Sequence, residues 1–306
     1  MRDLLALQNL PAQDIRDILD LSQNLGEILD RPIKKLPTLR GKAIVNLFFE
    51  PSTRTRNSFE LAAKYLGADV INVQKSGSSV EKGETLWDTA TNLRQMGIDA
   101  AIIRHQVSGV PEQLAEVLDV PVINAGDGSH EHPTQGLLDV LTLRQAKGDV
   151  SRLKVAIVGD VLHSRVARSD IWAMRALGAR VVLIGPASLL PESYRELGVE
   201  VTTDLKEGLA GVDAVQVLRL QKERQSGGEI PSQWEYRARW GLTAESLGWA
   251  KPDAVVLHPG PQNRGVEIDS DILDSERALV RQQVRNGVAV RMAVLFRLLG
   301  GAHDEQ

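Results

Sequence analysis

Residues 43–58 read AIVNLFFEPSTRTRNS, and the fold turns on how this stretch is read. AIVNLFF is a short apolar, partly β-branched run that predicts a buried strand. It stops at Glu50-Pro51 and gives way to three hydroxyls and two guanidinium groups, on Ser52, Thr53, Arg54, Thr55 and Arg56. At the start of a helix, hydroxyls and successive backbone N–H groups can converge on one oxyanion, and arginine adds a charge-assisted fork. Phosphate suits that set. The plainer alternative, in which Ser52 or Thr53 only caps a helix, needs one hydroxyl where this site offers three.

The same strand-then-helix grammar recurs along the chain. DVINV at 69–73, DAAIIR at 99–104 and PVINA at 121–125 read as strands, separated by helical stretches at 58–67, 86–97 and 111–119. A helix with one apolar face precedes them, carrying Ile15, Ile18, Leu19, Leu25, Ile28 and Leu29. Strands alternating with helices, without two-residue hairpin turns, predict a parallel sheet covered on both faces. A long helix from about Pro133 to Lys147 follows, and the alternation restarts at KVAIVGD, 154–160, with RVVLIG, DAVQVLR and DAVVLHPG as further strands. The expectation is an α/β protein of two doubly wound parallel-sheet domains joined by long helices. The first domain is placed at 1–135 and the second at 136–285, with a mostly apolar helix at 286–306 packing back across the first.

Composition narrows the function. The 306 residues carry a formal net charge of -4, so no global basic field is present to hold nucleic acid. The chain contains no cysteine, which excludes disulfides, thiolate metal sites and cysteine nucleophiles and points to the cytoplasm. No apolar run of about 18 residues could span a bilayer, and the N-terminus lacks a signal-peptide core.

In open α/β sheets ligands sit beyond the carboxyl ends of the strands, and polar segments crowd those places here. EPSTRTR, Arg104-His105, GDGSHEHPTQ, GDVLHSR, Arg219-Leu-Gln221 and HPGPQNRG each follow a strand, which predicts a single cleft between the domains. His130 and His132 form an H-x-H pair, but with only Asp127 and Glu131 as nearby carboxylates a zinc site is weakly supported. A neutral histidine donating to a polarised carbonyl fits His132 better. His105 reads as structural or exposed. KVAIVGD followed by VLHSR imitates a dinucleotide-binding turn, yet Gly159 is followed by Asp160 rather than by spaced glycines. What stands at that turn is Arg165, with Arg168 three residues on. SGSSVEKGET at 76–85 reads as a surface loop that can carry Lys82 to a ligand.

Taken together, FEPSTRTRNSFE, KGETLWDT, RHQ, NAGDGSHEHPTQGLLD, VGDVLHSR, LRLQKER and HPGPQNRGVEI resemble the aspartate carbamoyltransferase catalytic chains in order and spacing. STRTR alone is equally similar to ornithine carbamoyltransferases, but an ornithine enzyme would show a cysteine-bearing H-C-L-P and a D-S-M-G segment. The resemblance implies transfer of a carbamoyl group from carbamoyl phosphate to L-aspartate, an early step of pyrimidine biosynthesis, with no metal and no organic cofactor.

It also implies roles for particular residues. Ser52, Thr53, Arg54 and Thr55 would hold phosphate. Arg104, His132 and Thr55 would meet the carbamoyl oxygen, and Gln135 the carbamoyl nitrogen. Arg165, Arg219 and Gln221 would bind the aspartate carboxylates, beside the backbone of Gly260 and Pro261, where a cis peptide is expected. Ser78, or Ser79 beside it, would bind carbamoyl phosphate and Lys82 would bind aspartate, both reaching into the neighbouring subunit's site within a homotrimer. Glu50, with Arg165 and Arg224, would hold the domains closed. Regulatory chains or dihydroorotase are further partners compatible with the family. A scaffold that keeps the fold without the reaction would show substitutions at these positions, and Ser52, Arg54, Thr55, Lys82, Arg104, His132, Arg165, Arg219 and Gln221 are all present.

Overall fold

The computed structural model describes residues 1–74, 83–221, 228, 230 and 232–300. The chain divides into two compact units, one formed by Met1–Leu138 together with the chain from Val284 on, the other by Asp139–Gln283.

In the first unit, strands β1 (Ala43–Phe48), β2 (Asp69–Gln74), β3 (Ala100–His105) and β4 (Val122–Asp127) form a sheet in the order β2-β1-β3-β4. Every pairing is parallel. One face of the sheet packs Val45, Leu47, Ala101, Ile103 and Val122 against Ala90, Leu93 and Leu114, from helices α3 (Leu86–Gln95) and α4 (Val110–Val117). Neighbours in sequence, Ile44, Ile102 and Ile123, are equally buried, because alternate side chains of a strand point to opposite faces and both faces here are covered. α1 (Ala12–Gly26) and α2 (Thr53–Tyr65) complete the early helices. The open edge of β4 is closed by the N-terminal segment. Leu4 donates to the Val122 carbonyl and accepts from Asn124 N–H, both at 2.9 Å, which removes a row of unpaired edge groups.

In the second unit, β5 (Lys154–Val158), β6 (Arg180–Ile184), β7 (Glu200–Thr202), β8 (Ala214–Val217) and β9 (Val255–Leu257) form a second parallel sheet, in the order β7-β6-β5-β8-β9. Its core joins Ala156, Val158, Val182, Ile184, Val215, Val217 and Val256 to Leu205, Leu209 and Leu247. Burying each of the valine, leucine and isoleucine side chains contributes about 1.5–3 kcal/mol. α5 (Pro133–Lys147) runs across the boundary between the units in sequence, as does the helix Val280–Leu299.

Strand order fixes where ligands can sit. In each sheet the chain winds outward one way from a central strand and then returns to wind the other way, so the strand order reverses between β1 and β3 and between β5 and β8. Crevices open at such switch points, beyond the carboxyl ends of the flanking strands. STRTR follows β1 and Arg104 ends β3, while GDVLHSR follows β5 and Arg219-Leu-Gln221 follows β8.

Candidate active site

In the first unit, α2 begins at Thr53, with Ser52 in an extended conformation just before it. Ser52 makes no side-chain capping bond, so its hydroxyl is not consumed by the helix end. The first N–H groups of an α-helix have no intrahelical acceptor and point out of its start, and Ser52, Thr53 and Arg54 stand exposed or half-buried around them. Thr55 turns inward and is buried.

Arg104, at the end of β3, meets this helix start. Its Nη2 donates to Glu50 Oε1 at 2.7 Å, and Nη1 lies 3.5 Å from Thr55 Oγ1 and 3.3 Å from the Ala125 carbonyl oxygen. His132 stands just before α5, whose first residue, Pro133, needs no N–H donor there. The His132 carbonyl accepts from Gln135 N–H at 2.8 Å, and its Nε2 lies 3.5 Å from Thr55 Oγ1. Thr55, Arg104 and His132, from three separate strand ends, thus meet at one hydroxyl. Their spacing is at the outer edge of hydrogen-bond range. Gln135, in the first turn of α5, is buried as well.

The turn before His132 is built around Asp127. Its carboxylate is fully buried and accepts from Gly109 N–H at 2.7 Å, Asn124 Nδ2 at 2.7 Å and Glu131 N–H at 3.2 Å, and pairs with His130 Nδ1 at 3.0 Å. Burial alone would raise this carboxyl, but His130, Gly109 and Asn124 outweigh it and hold Asp127 below the usual carboxylate range. The bond to Asp127 in turn raises His130. Glu112, Asp127 and His130 bring potential ligand atoms within 4.8 Å of one another. The oxygens of Asp127 are already engaged by these donors, so the group serves as a hydrogen-bonded brace for the turn. Glu131 adds a second brace, accepting from Leu7 and Gln8 N–H at 2.9 Å each. His105 accepts from Val107 N–H through Nδ1 and packs edge-on against Phe49, in keeping with a structural role.

In the second unit, Ser164 caps α6 (Arg165–Ala176) by accepting from Ala167 N–H, which places the buried Arg165 as the first helical residue. Gln221 is tied to the same turn. Its N–H points at Asp160 Oδ2 at 3.4 Å and its side-chain amide donates to the His163 carbonyl at 3.2 Å. Asp160 also pairs with His163 Nδ1 at 2.9 Å. At the third segment, the Gly260-Pro261 peptide is cis. His258 organises this turn: Nδ1 accepts from Gly260 N–H at 2.8 Å, which fixes the proton on Nε2, where it is directed at Glu267 Oε1 at 3.2 Å. His163, His258 and Glu267 were not singled out from the sequence, where Asp160 stood only as the residue after Gly159 and Glu131 only as a carboxylate near the H-x-H pair. Ser78, Ser79, Lys82 and Arg224 lie outside the described residues. Within the first unit the carboxylate of Glu50 is paired with Arg104.

Arginines and hydroxyls gathered at the switch points of parallel sheets define a class of α/β protein that binds anionic substrates, and comparison with known proteins names the family. Residues 2–145 match the carbamoyl-P binding domain of aspartate/ornithine carbamoyltransferases and residues 151–298 match their Asp/Orn binding domain. The chain belongs to that family. Within it, the chain is 54% identical over 302 residues to the aspartate carbamoyltransferase catalytic subunit of Moorella thermoacetica, covering 99% of this chain and 98% of that one. The solved structure of Trypanosoma cruzi aspartate transcarbamoylase with carbamoyl phosphate superposes with a TM-score of 0.88 at 31% identity, covering 97% of this chain and 96% of that one. Ornithine carbamoyltransferase from Pyrococcus furiosus superposes with a TM-score of 0.86 at 30% identity, covering 98% and 97%. The fold is therefore shared by aspartate and ornithine enzymes, while the relative at 54% identity is an aspartate enzyme.

Proposed function

We infer that this chain transfers the carbamoyl group of carbamoyl phosphate to the amino group of L-aspartate, giving N-carbamoyl-L-aspartate and phosphate. The observation that carries this reading is the convergence of Arg104 and His132 on Thr55, beside the helix start that bears Ser52, Thr53 and Arg54. The helix start and Arg54 bind the phosphoryl group, while Thr55, Arg104 and His132 surround the carbonyl oxygen and Gln135 meets the carbamoyl nitrogen. Arg165, Arg219, Gln221 and the Gly260-Pro261 backbone receive aspartate.

As the amine attacks the carbamoyl carbon, a C–N bond forms and negative charge grows on the carbonyl oxygen. Preorganised donors aimed at that oxygen stabilise it by several kcal/mol. The C–O bond to phosphate then breaks, and the departing phosphate can take the proton that the amine loses. Holding two anionic substrates in a reactive orientation supplies much of the remaining acceleration.

The catalytic form in this proposal is a cytoplasmic homotrimer in which Ser78 and Lys82 act on a neighbour's site. The exposed apolar side chains Leu61, Trp87 and, on the edge strand β2, Ile71 support self-association. Purified protein given carbamoyl phosphate should form carbamoyl-aspartate with L-aspartate and no carbamoylated product with L-ornithine. Product from ornithine alone would overturn the substrate assignment. Hybrids of Lys82→Ala and Arg54→Ala chains, each nearly inactive alone, should regain activity if the site is shared.

A further inference from the structure

In the second unit two carboxylic acids are buried completely, Asp139 on α5 and Asp170 on α6. Between them stands Gln216 on β8, also without solvent exposure, whose amide nitrogen donates to Asp139 Oδ2 at 3.0 Å and to Asp170 Oδ2 at 3.1 Å. A primary amide has two hydrogens, so both bonds can be made at once. The two carboxyls are therefore held within reach of a single nitrogen. Gln283 Nε2 gives Asp139 Oδ1 another bond at 2.6 Å.

The surroundings of Asp170 favour its neutral form. Among the described residues the ionisable group acting on Asp170 is Asp139, from α5, and the remaining polar partner is the neutral Gln216, from β8. Two carboxylates this close would repel across a poorly polarisable interior, and one retained proton on Asp170 removes that repulsion. Burial first, and Asp139 second, push the Asp170 carboxyl well above the ordinary carboxylate range. Asp170 Oδ1 receives no donor among the described residues, which suits an oxygen that carries the proton itself.

What the pair connects gives it a role. Asp170 lies five residues beyond Arg165 on the same helix, and Gln216 lies three residues before Arg219 and five before Gln221. Gln283, bonded to Asp139, also accepts from His258 N–H at 2.9 Å, two residues before Gly260. All three segments assigned to aspartate are anchored on one buried cluster.

We propose that Asp139 and Asp170 share a single proton and are positioning residues for aspartate, holding α6, β8 and the His258–Pro261 turn in the register that aims Arg165, Arg219 and Gln221. The positioning role rests on the assignment of aspartate to the second unit. Loss of the shared proton loosens the three segments together.

The test compares the full-length wild-type enzyme with Asp170→Asn, whose side chain keeps one donor and one acceptor but cannot ionise. The infrared band of a protonated carboxylic acid should be present in the wild type at neutral pH and absent from the variant. Because the folded pair holds a proton that the unfolded chain has released, wild-type stability falls as pH rises from the carboxylate range through the pair's own pKa. The difference in Tm between Asp170→Asn and wild type should therefore widen from pH 5 to pH 9. Over the same range the wild-type KM for aspartate should rise at least about threefold more than that of the variant, while the KM for carbamoyl phosphate changes equally in both.

No such infrared band, or parallel Tm profiles, would overturn proton sharing. A widening Tm difference with parallel KM profiles would overturn the positioning role. Asp170→Leu, which removes the bonds, should raise the aspartate KM by at least about tenfold with a smaller change in kcat. An unchanged KM in a folded Asp170→Leu protein would also overturn positioning. The infrared and Tm measurements need no substrate, so they stand even if the assignment to carbamoyl transfer fails.

Discussion

Arg104 is gripped by Glu50 through Nη2 at 2.7 Å, while its other terminal nitrogen, Nη1, faces Thr55 Oγ1 at 3.5 Å. A guanidinium is a rigid planar fork, so fixing one prong sets the direction of the other. Glu50 thereby aims a positive donor at the place where the carbamoyl oxygen is proposed to bind.

Glu50→Gln keeps the size of that grip and removes its charge. A hydrogen bond to a charged group contributes about 1.5–3 kcal/mol, so kcat should fall by about 10–100-fold if the bond persists into the transition state. Steady-state kinetics at saturating carbamoyl phosphate would check this. A kcat within about twofold of wild type would show that Glu50 does not orient Arg104 during the reaction.

Removing the donors themselves should cost more. Arg104→Ala and His132→Ala should each lower kcat by about 10²–10³-fold, the usual loss for a donor to a developing oxyanion. Since both face Thr55 and act on one oxygen, the double variant should lose less than the product of the single losses. A fully multiplicative loss would mean that they act on different atoms.

The strand ends that carry these groups were legible in the sequence because each follows a short apolar, β-branched run, and such runs became β1, β2, β3, β4, β5, β6, β8 and β9. β7 (Glu200–Thr202) contains one apolar residue, Val201, so no apolar run marks it. Four short helices, at Leu205–Leu209, Gln233–Trp240, Ala244–Leu247 and Ser270–Leu273, were missed for a similar reason, although the capping side chains of Asp204, Ser232 and Thr243 were a local signal that could have revealed three of them. α2 starts at Thr53 rather than near Ser58, because its polar first turn belongs to the site and breaks the apolar pattern. Thr55, Arg104 and His132 could be proposed from their positions. The partners that brace the site could not, since Gln216 to Asp139 and Glu131 to Leu7 span more than 70 residues of chain and leave no local trace.

Gly159 explains why the turn after β5 departs from a dinucleotide-binding loop without losing its glycine. Its φ is 130°, a conformation that side chains resist, and an added Cβ would approach Tyr236 OH at 3.0 Å and Leu218 Cβ at 3.1 Å. Both strain and crowding therefore act in Gly159→Ala, which should destabilise the protein by about 2–4 kcal/mol. Chemical denaturation would measure it. A loss below about 0.5 kcal/mol would mean that the turn relaxes freely.

The brace at Asp127 yields a prediction in pH. The bond to Asp127 raises His130 above its ordinary value of 6.5, against the opposing effect of burial, while Glu112 and Glu131 add smaller attractions in the same direction. A histidine raised in the folded state contributes its full stabilisation below its unfolded pKa, and that contribution is lost as pH rises through the higher folded value. Burial raises Glu112 above its ordinary value, which moves its own ionisation towards this window from the acid side. His130→Gln retains a polar side chain without the charge, so the wild-type advantage in Tm should be largest near pH 6 and shrink towards pH 9. Paired thermal scans of the two proteins across that range would check it. An advantage that stays constant, or grows with pH, would show that His130 is held by its neutral form and that Asp127 draws no stability from the charge.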